Sequence, residues 1–184
     1  VSEELIKEAY ERMKKEVRAS HILVKVAPDA LPKDTLEAWN RIMIIRDHLA
    51  GKAITPQRMA EYEAIAKKAF KGDSTLHNRI EALKQALKIK GSNSENSFTS
   101  LAKAISEDPS SSENGGDLGY FTALMMVYPF ETMAYNTKPG EISQPVRTKF
   151  GYHIIRVTDV RPASGEIHTA HIMVKLAPNA PDSV

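Results

Sequence analysis

The apolar positions of the chain fall into a few periodic groups, and these predict its elements. Leu5, Ile6, Ala9, Tyr10 and Met13 recur at helical spacing behind Ser2, with Glu3 and Glu4 at the front and Lys14 and Lys15 at the back. That order of cap and charge suits the helix dipole, so a leading helix is expected over 1–16. Arg18–Val26 is dense in aliphatic and β-branched residues and reads as a buried strand. Beyond an Ala27–Pro32 loop, Asp34 and Glu37 have capping-box spacing. They open a helix to about Ala50, striped by Leu36, Trp39, Ile42, Met43, Ile45 and Leu49 and stopped by Gly51.

Residues 52–96 carry two more helical stripes. Thr55-Pro56 starts the first, with Met59, Tyr62, Ile65, Ala66, Ala69 and Phe70. Lys71-Gly72-Asp73-Ser74 breaks it, and Leu76, Ile80, Leu83 and Leu87 form the second, so an antiparallel helical hairpin is expected. Phe98, Leu101, Ala102 and Ile105 mark a further helix, and Phe130–Tyr135 a helical turn. Ile142–Val146 reads as a short edge strand and Tyr152–Val160 as a longer one.

Composition narrows the function classes. The 184 residues carry a net charge of +2 with both signs interspersed, which argues against a nucleic-acid or anionic-membrane partner. The apolar runs, such as Leu124–Val127, are too short to span a bilayer. Without cysteine, disulfides give no sign of the redox compartment. The start at Val1 and the end inside a repeated motif read as a piece of a longer protein.

The strongest local signal is Ser106–Phe130. Gly115-Gly116-Asp117-Leu118-Gly119 places three glycines in five residues, read here as a rigid turn, and apolar Phe121, Met126 and Phe130 follow. It is no phosphate cradle, because no Gly-Lys-Ser/Thr follows. Two segments fit around it, Ser20-His21-Ile22-Leu23-Val24-Lys25 and Phe150-Gly151-Tyr152-His153-Ile154-Ile155-Arg156-Val157. In this order, the three closely resemble the parvulin peptidyl-prolyl cis/trans isomerases over Val17–Val160, apart from about 51–95.

The resemblance implies an α+β fold, a four-stranded antiparallel sheet with surrounding helices, to which this chain adds the helical hairpin. The isomerase domain is expected over 17–161. It implies that His21 and His153 lie on adjacent strands and share a proton, supported by the hydroxyl of Thr148. It makes Asp108 the acidic member of the site, at a position where parvulins carry Cys or Asp. Leu118, Met126 and Phe130 match the family's proline pocket, and Phe150 stands where some parvulins have a smaller polar residue, as a wall of the slot.

Taken singly, each histidine also reads as a core residue, Asp108-Pro109 as a turn former, and the pocket residues as packing, the reading preferred for Phe121. A two-histidine, one-carboxylate metal site is disfavoured by the spacing, and His168 and His171 fall on opposite strand faces. No metal or cofactor is expected. Ala27–Thr35 holds only Lys33 against Asp29 and Asp34, so no preference for phosphorylated substrates is expected.

His21–Ala30 returns as His171–Ala180, 150 residues later, with seven of ten positions identical. Residues 162–184 therefore read as a linker and the start of a second isomerase unit. Tandem units resemble envelope foldases, which implies Xaa-Pro-containing unfolded clients and a periplasmic or cell-envelope location. Two further readings are a catalytically weak holdase that grips apolar segments through Tyr62, Phe70 and Leu76, and self-association through the tail.

Overall fold

The computed structural model describes residues 2–70, 76–165, 170, 172 and 173. The break at 71–74 lies outside the described residues. So do His168 and most of the repeat from His171, with the self-association reading built on it. The elements run α1 (Glu3–Met13), β1 (Lys15–Lys25), α2 (Pro32–Leu49), α3 (Pro56–Ala69), α4 (Leu76–Ala86), α5 (Glu95–Ile105), α6 (Ser111–Asn114), β2 (Asp117–Phe121), α7 (Tyr128–Asn136), β3 (Val146–Thr148) and β4 (Gly151–Pro162). The sheet is antiparallel in the order β2-β1-β4-β3 and gives the α+β class expected from the sequence.

Alternation along the two central strands builds two cores. Ile22, Val24 and Ile154 face the helices α2 to α5, where Ile42, Ile45, Leu49, Phe98 and Leu101 are buried against them. Val17, Ala19, Ile155 and Val157 face the other way, onto Phe121 and onto Phe130 and Ala134 of α7.

The helical hairpin is part of the first core. Tyr62, Ala66, Ile80, Leu83 and Ala86 are buried in it. The Tyr62 hydroxyl donates to Glu37 at 2.7 Å, and Arg79 covers the Phe70 ring at 4.7 Å. Tyr62 is therefore closed to clients, which overturns its part in the holdase reading.

Local chemistry revises three expectations. The Asp34–Glu37 capping box does not form: α2 starts at Pro32, with Leu31 as a cap that offers no side chain. Proline at the first position brings its own φ and lacks the N–H that a cap would satisfy. Glu37 instead points into the core, beside Tyr62 and the Arg41 Nε at 3.3 Å. Second, the glycine-rich turn is half strand, because Asp117-Leu118-Gly119 already belongs to β2.

Third, β3 covers Val146–Thr148, and Ile142 makes only an isolated bridge to Arg156. Between them Pro145 has no N–H for a ladder. Ser143 takes over locally, its N–H donating to the Ile155 carbonyl at 2.8 Å and its Oγ accepting from the Ile155 N–H at 3.0 Å.

Most of the apolar stripe of α1 is uncovered, with only Ala9 half-buried. Leu5, Ile6, Tyr10 and Met13 are exposed, and Arg12 is the helix's buried residue.

Candidate active site

Strand register brings the two histidines together. Leu23 pairs with His153 and His21 with Ile155, so the rings are diagonal neighbours on one face of the central pair. Their Nδ1 atoms are 3.1 Å apart and the rings nearly parallel, 16° between planes.

Asp108 arrives by a different route. β2 pairs with β1 only as far as Ser20. Beyond it the segment after α5 takes over the edge of β1. The Leu23 N–H donates to Ser106 Oγ at 3.1 Å, the Glu107 N–H to the Leu23 carbonyl at 2.8 Å, and the Lys25 N–H to Glu107 Oε2 at 2.5 Å. Arg41 Nη1 holds the other oxygen of Glu107 at 2.8 Å. Asp108, next in the chain, then lies with Oδ2 2.6 Å from His21 Nε2.

Gly116 makes the close approach on the other side. Its φ is +81°, its carbonyl accepts the His21 N–H at 2.9 Å, and a Cβ there would lie 2.2 Å from the His21 carbonyl oxygen. Only glycine fits.

The hydrogen bonds form one chain, and its charge state follows from its ends. Burial works to raise the Asp108 carboxyl, but hydrogen bonds from His21 and from the Ser110 N–H outweigh it and hold the group below the usual carboxylate range. Burial pushes the His21 imidazole down, against the pull of Asp108. It pushes His153 down to about 3, with the His21 ring adding to the effect. At neutral pH the carboxylate is charged and both rings are neutral.

One proton arrangement satisfies all four ring nitrogens. His21 Nε2–H donates to Asp108, and His153 Nδ1–H donates to His21 Nδ1. The Thr148 hydroxyl donates to His153 Nε2 at 2.7 Å while accepting the Phe150 N–H at 3.1 Å. With no ring nitrogen left over, the trio makes a poor metal site.

A cavity of about 550 Å³ opens beside this chain. His21, Asp108 and His153 line it together with Leu118, Met126, Phe130 and Phe150. Phe130 stands edge-on to both imidazoles, with ring centroids 5.7 Å from His21 and 5.3 Å from His153. Of the expected pocket residues Thr148 alone is not in the lining; it is buried behind His153 and holds the ring. Met126 lies in the loop before α7, and Phe130 in the first turn of that helix. Sequence reasoning missed Leu23, Lys25, Pro109, Met125 and Val127 in the lining. The signal for the last two was the apolar run 124–127 inside an otherwise turn-like stretch.

Residues 4–161 match the PPIC-type PPIase domain. The chain belongs to that isomerase family. Among its relatives are a foldase protein PrsA of Bacillus cereus, 38% identical over 71% of this chain and 44% of that protein, and a probable parvulin-type peptidyl-prolyl cis-trans isomerase of Bordetella pertussis, 38% identical over 65% of this chain and 48% of that one. The chain thus spans less than half the length of these curated relatives. A crystal structure of the peptidylprolyl isomerase PrsA from Bacillus anthracis aligns with 86% of this chain and 48% of that one, at 30% identity and a TM-score of 0.45. Among the described residues of this PPIC-type domain, no helix is long and apolar enough to cross a membrane.

Proposed function

We propose that this chain is a peptidyl-prolyl cis/trans isomerase that acts on extended segments of unfolded client proteins, with His21, Asp108 and His153 as its catalytic trio. The observation that carries the reading is a carboxylate hydrogen-bonded to the first of two linked imidazoles at the wall of an apolar cavity.

The chemistry needs no covalent step. Amide resonance opposes rotation by about 18–20 kcal/mol, and a catalyst must favour the twisted amide over both planar forms. The planar amide is the more polar, because resonance puts negative charge on its oxygen and positive charge on its nitrogen. An apolar slot lined by Leu118, Met126 and Phe130 suits the proline ring and disfavours that charge separation. The Asp108 carboxylate beside the substrate carbonyl acts in the same sense, repelling a negative oxygen in the planar form. The imidazoles have no nitrogen free to give a proton away. Their role is to hold Asp108 in place and to present a stiff polar wall.

The foldase names of relatives support unfolded proteins as clients, and an envelope or periplasmic location is proposed with them. The test is catalysed isomerisation of an Ala-Xaa-Pro peptide. His153→Ala and Asp108→Ala are expected to lower kcat/KM by about a hundredfold, the effect of losing a positioned polar group from an electrostatic site. Thermal melting checks that both fold. Full rate in both folded variants would reject the assignment, and peptide binding without turnover by the wild type would make the domain a holdase.

A further inference from the structure

Leu124 is the one described residue other than glycine with positive φ, at +70°. Its side chain does not explain this, being 77% exposed. Two bonds hold the backbone: Leu124 is the third residue of a turn in which the Met125 N–H donates to the Thr122 carbonyl at 3.4 Å, and its own N–H donates to Glu131 Oε2 at 2.7 Å. Glu131 is only 3% exposed, and its other oxygen takes Arg12 Nη1 of α1 at 3.1 Å.

Arg12 is itself buried. Nη2 donates to Thr132 Oγ1 at 3.0 Å and pairs with Glu8, and the guanidinium lies against the rings of Tyr128 and Tyr135, 5.5 and 5.4 Å from their centroids. The three residues after Leu124 are Met125, Met126 and Val127, which all line the cavity, and Phe130 precedes Glu131. One carboxylate therefore fixes the loop that forms a wall of the slot. Its counter-charge comes from a helix outside the sheet.

We propose that Arg12 and Glu131 are positioning residues for the proline slot, and that α1 belongs to the substrate-binding apparatus through them. A buried carboxylate without its guanidinium carries a large desolvation penalty, so Glu131 can keep its place under the loop only while Arg12 is docked. Without that acceptor, only the long Thr122–Met125 turn bond is left to hold a leucine in left-handed backbone, and the loop relaxes away from the slot. This inference rests on the isomerase reading of the cavity.

The test compares KM and kcat for an Xaa-Pro peptide across variants whose folding is checked by thermal melting. In Glu131→Gln one of the two carboxylate oxygens becomes an NH2 that cannot accept, so the Leu124 N–H and Arg12 no longer each have an acceptor oxygen. KM is expected to rise roughly tenfold, as for one lost charge-assisted hydrogen bond, with kcat little changed. Arg12→Lys is expected to fall between it and the wild type. Adding Leu124→Gly to Glu131→Gln should restore most of the lost binding, because glycine adopts φ near +70° unaided. A purely structural role would give no such rescue.

A wild-type KM in Glu131→Gln, or no rescue by glycine in a folded double variant, would overturn the proposal. On the wild type alone, the Leu124 amide should resist hydrogen exchange despite the exposure of its side chain. Exchange at the unprotected rate would also overturn it. A wild type without turnover would reject the catalytic reading, and peptide Kd values would then replace KM with the same expectations.

Discussion

His21 and His153 meet nitrogen to nitrogen, Nδ1 to Nδ1 at 3.1 Å, across the two central strands. That contact can be made by a single proton between two neutral rings, and a second proton would set like charges against each other. The unfolded chain takes up protons on its histidines below about pH 6.5, while His153 in the native chain stays neutral down to about 3. The unfolded state thus binds more protons in that window, and stability must fall as pH drops through it. The slope is about 1.4 kcal/mol per pH unit for each such group. His21 adds to the fall. Asp108 acts in the same sense at the acid end, where its lowered carboxyl is finally protonated. Urea midpoints between pH 7.5 and 4.5 check this, and a flat profile would mean that the rings are not held neutral.

Gly116 and Gly119 offer a matched pair. Both have positive φ, but a Cβ at Gly116 would meet the His21 carbonyl oxygen, whereas one at Gly119 meets nothing within 4 Å. Gly119→Ala is expected to cost about 1 kcal/mol, from backbone strain alone. Gly116→Ala must also push β1 away from its neighbour, and about 2–4 kcal/mol is expected, with a loss of peptide turnover. Equal denaturation midpoints in the two variants would contradict the close approach.

Tyr62 tests the hairpin. Its hydroxyl satisfies a buried Glu37 and its ring fills the core. Tyr62→Phe is expected to cost about 1–3 kcal/mol by leaving the carboxylate short of a donor. Tyr62→Ala is expected to cost about 3–5 kcal/mol. Removing residues 52–93 altogether should abolish cooperative unfolding rather than leave an intact isomerase. A deletion that kept wild-type melting behaviour would show that the hairpin is an accessory.

Phe130 contributes to the core and to the slot at once, since it packs with Phe121 and stands edge-on to both imidazoles. Phe130→Ala should lower stability by about 3–5 kcal/mol and weaken peptide binding. Met126→Ala, at a half-buried site in the slot wall, should weaken binding with a smaller loss of stability. The ratio of the two effects, read by melting and by titration with an Xaa-Pro peptide, separates slot from core.

Much of the site was legible because its motifs are continuous. His21, Asp108 and His153 each stand in a run of residues whose order carries the resemblance. The missing parts depend on geometry that no run contains. The diagonal placement of the histidines follows from register, and the reach of Asp108 to His21 follows from Glu107 and Ser106 replacing β2 along β1. Met125 and Val127 escaped notice because their loop has no period and is held by a carboxylate from another element. Glu37 was misread for the opposite reason: Asp-x-x-Glu looks like a helix start whether its glutamate caps a helix or is buried in a core. The stripe of α1 gave no hint of how the helix docks, since it is Arg12 that is buried while Leu5, Ile6, Tyr10 and Met13 are exposed.

The strand order has a kinetic consequence. β1 and β4 are joined across the 125 residues from 26 to 150, so their pairing is a long-range closure, the slow kind in protein folding. Closure entropy grows only with the logarithm of loop length, about 0.6 kcal/mol per doubling, so an extra helical hairpin inside the loop hardly delays it. Before β4 docks, His21 waits on an open strand with no ring to meet. On the proposed function, the catalyst of a slow step in other chains thus comes into being only at the slow step of its own.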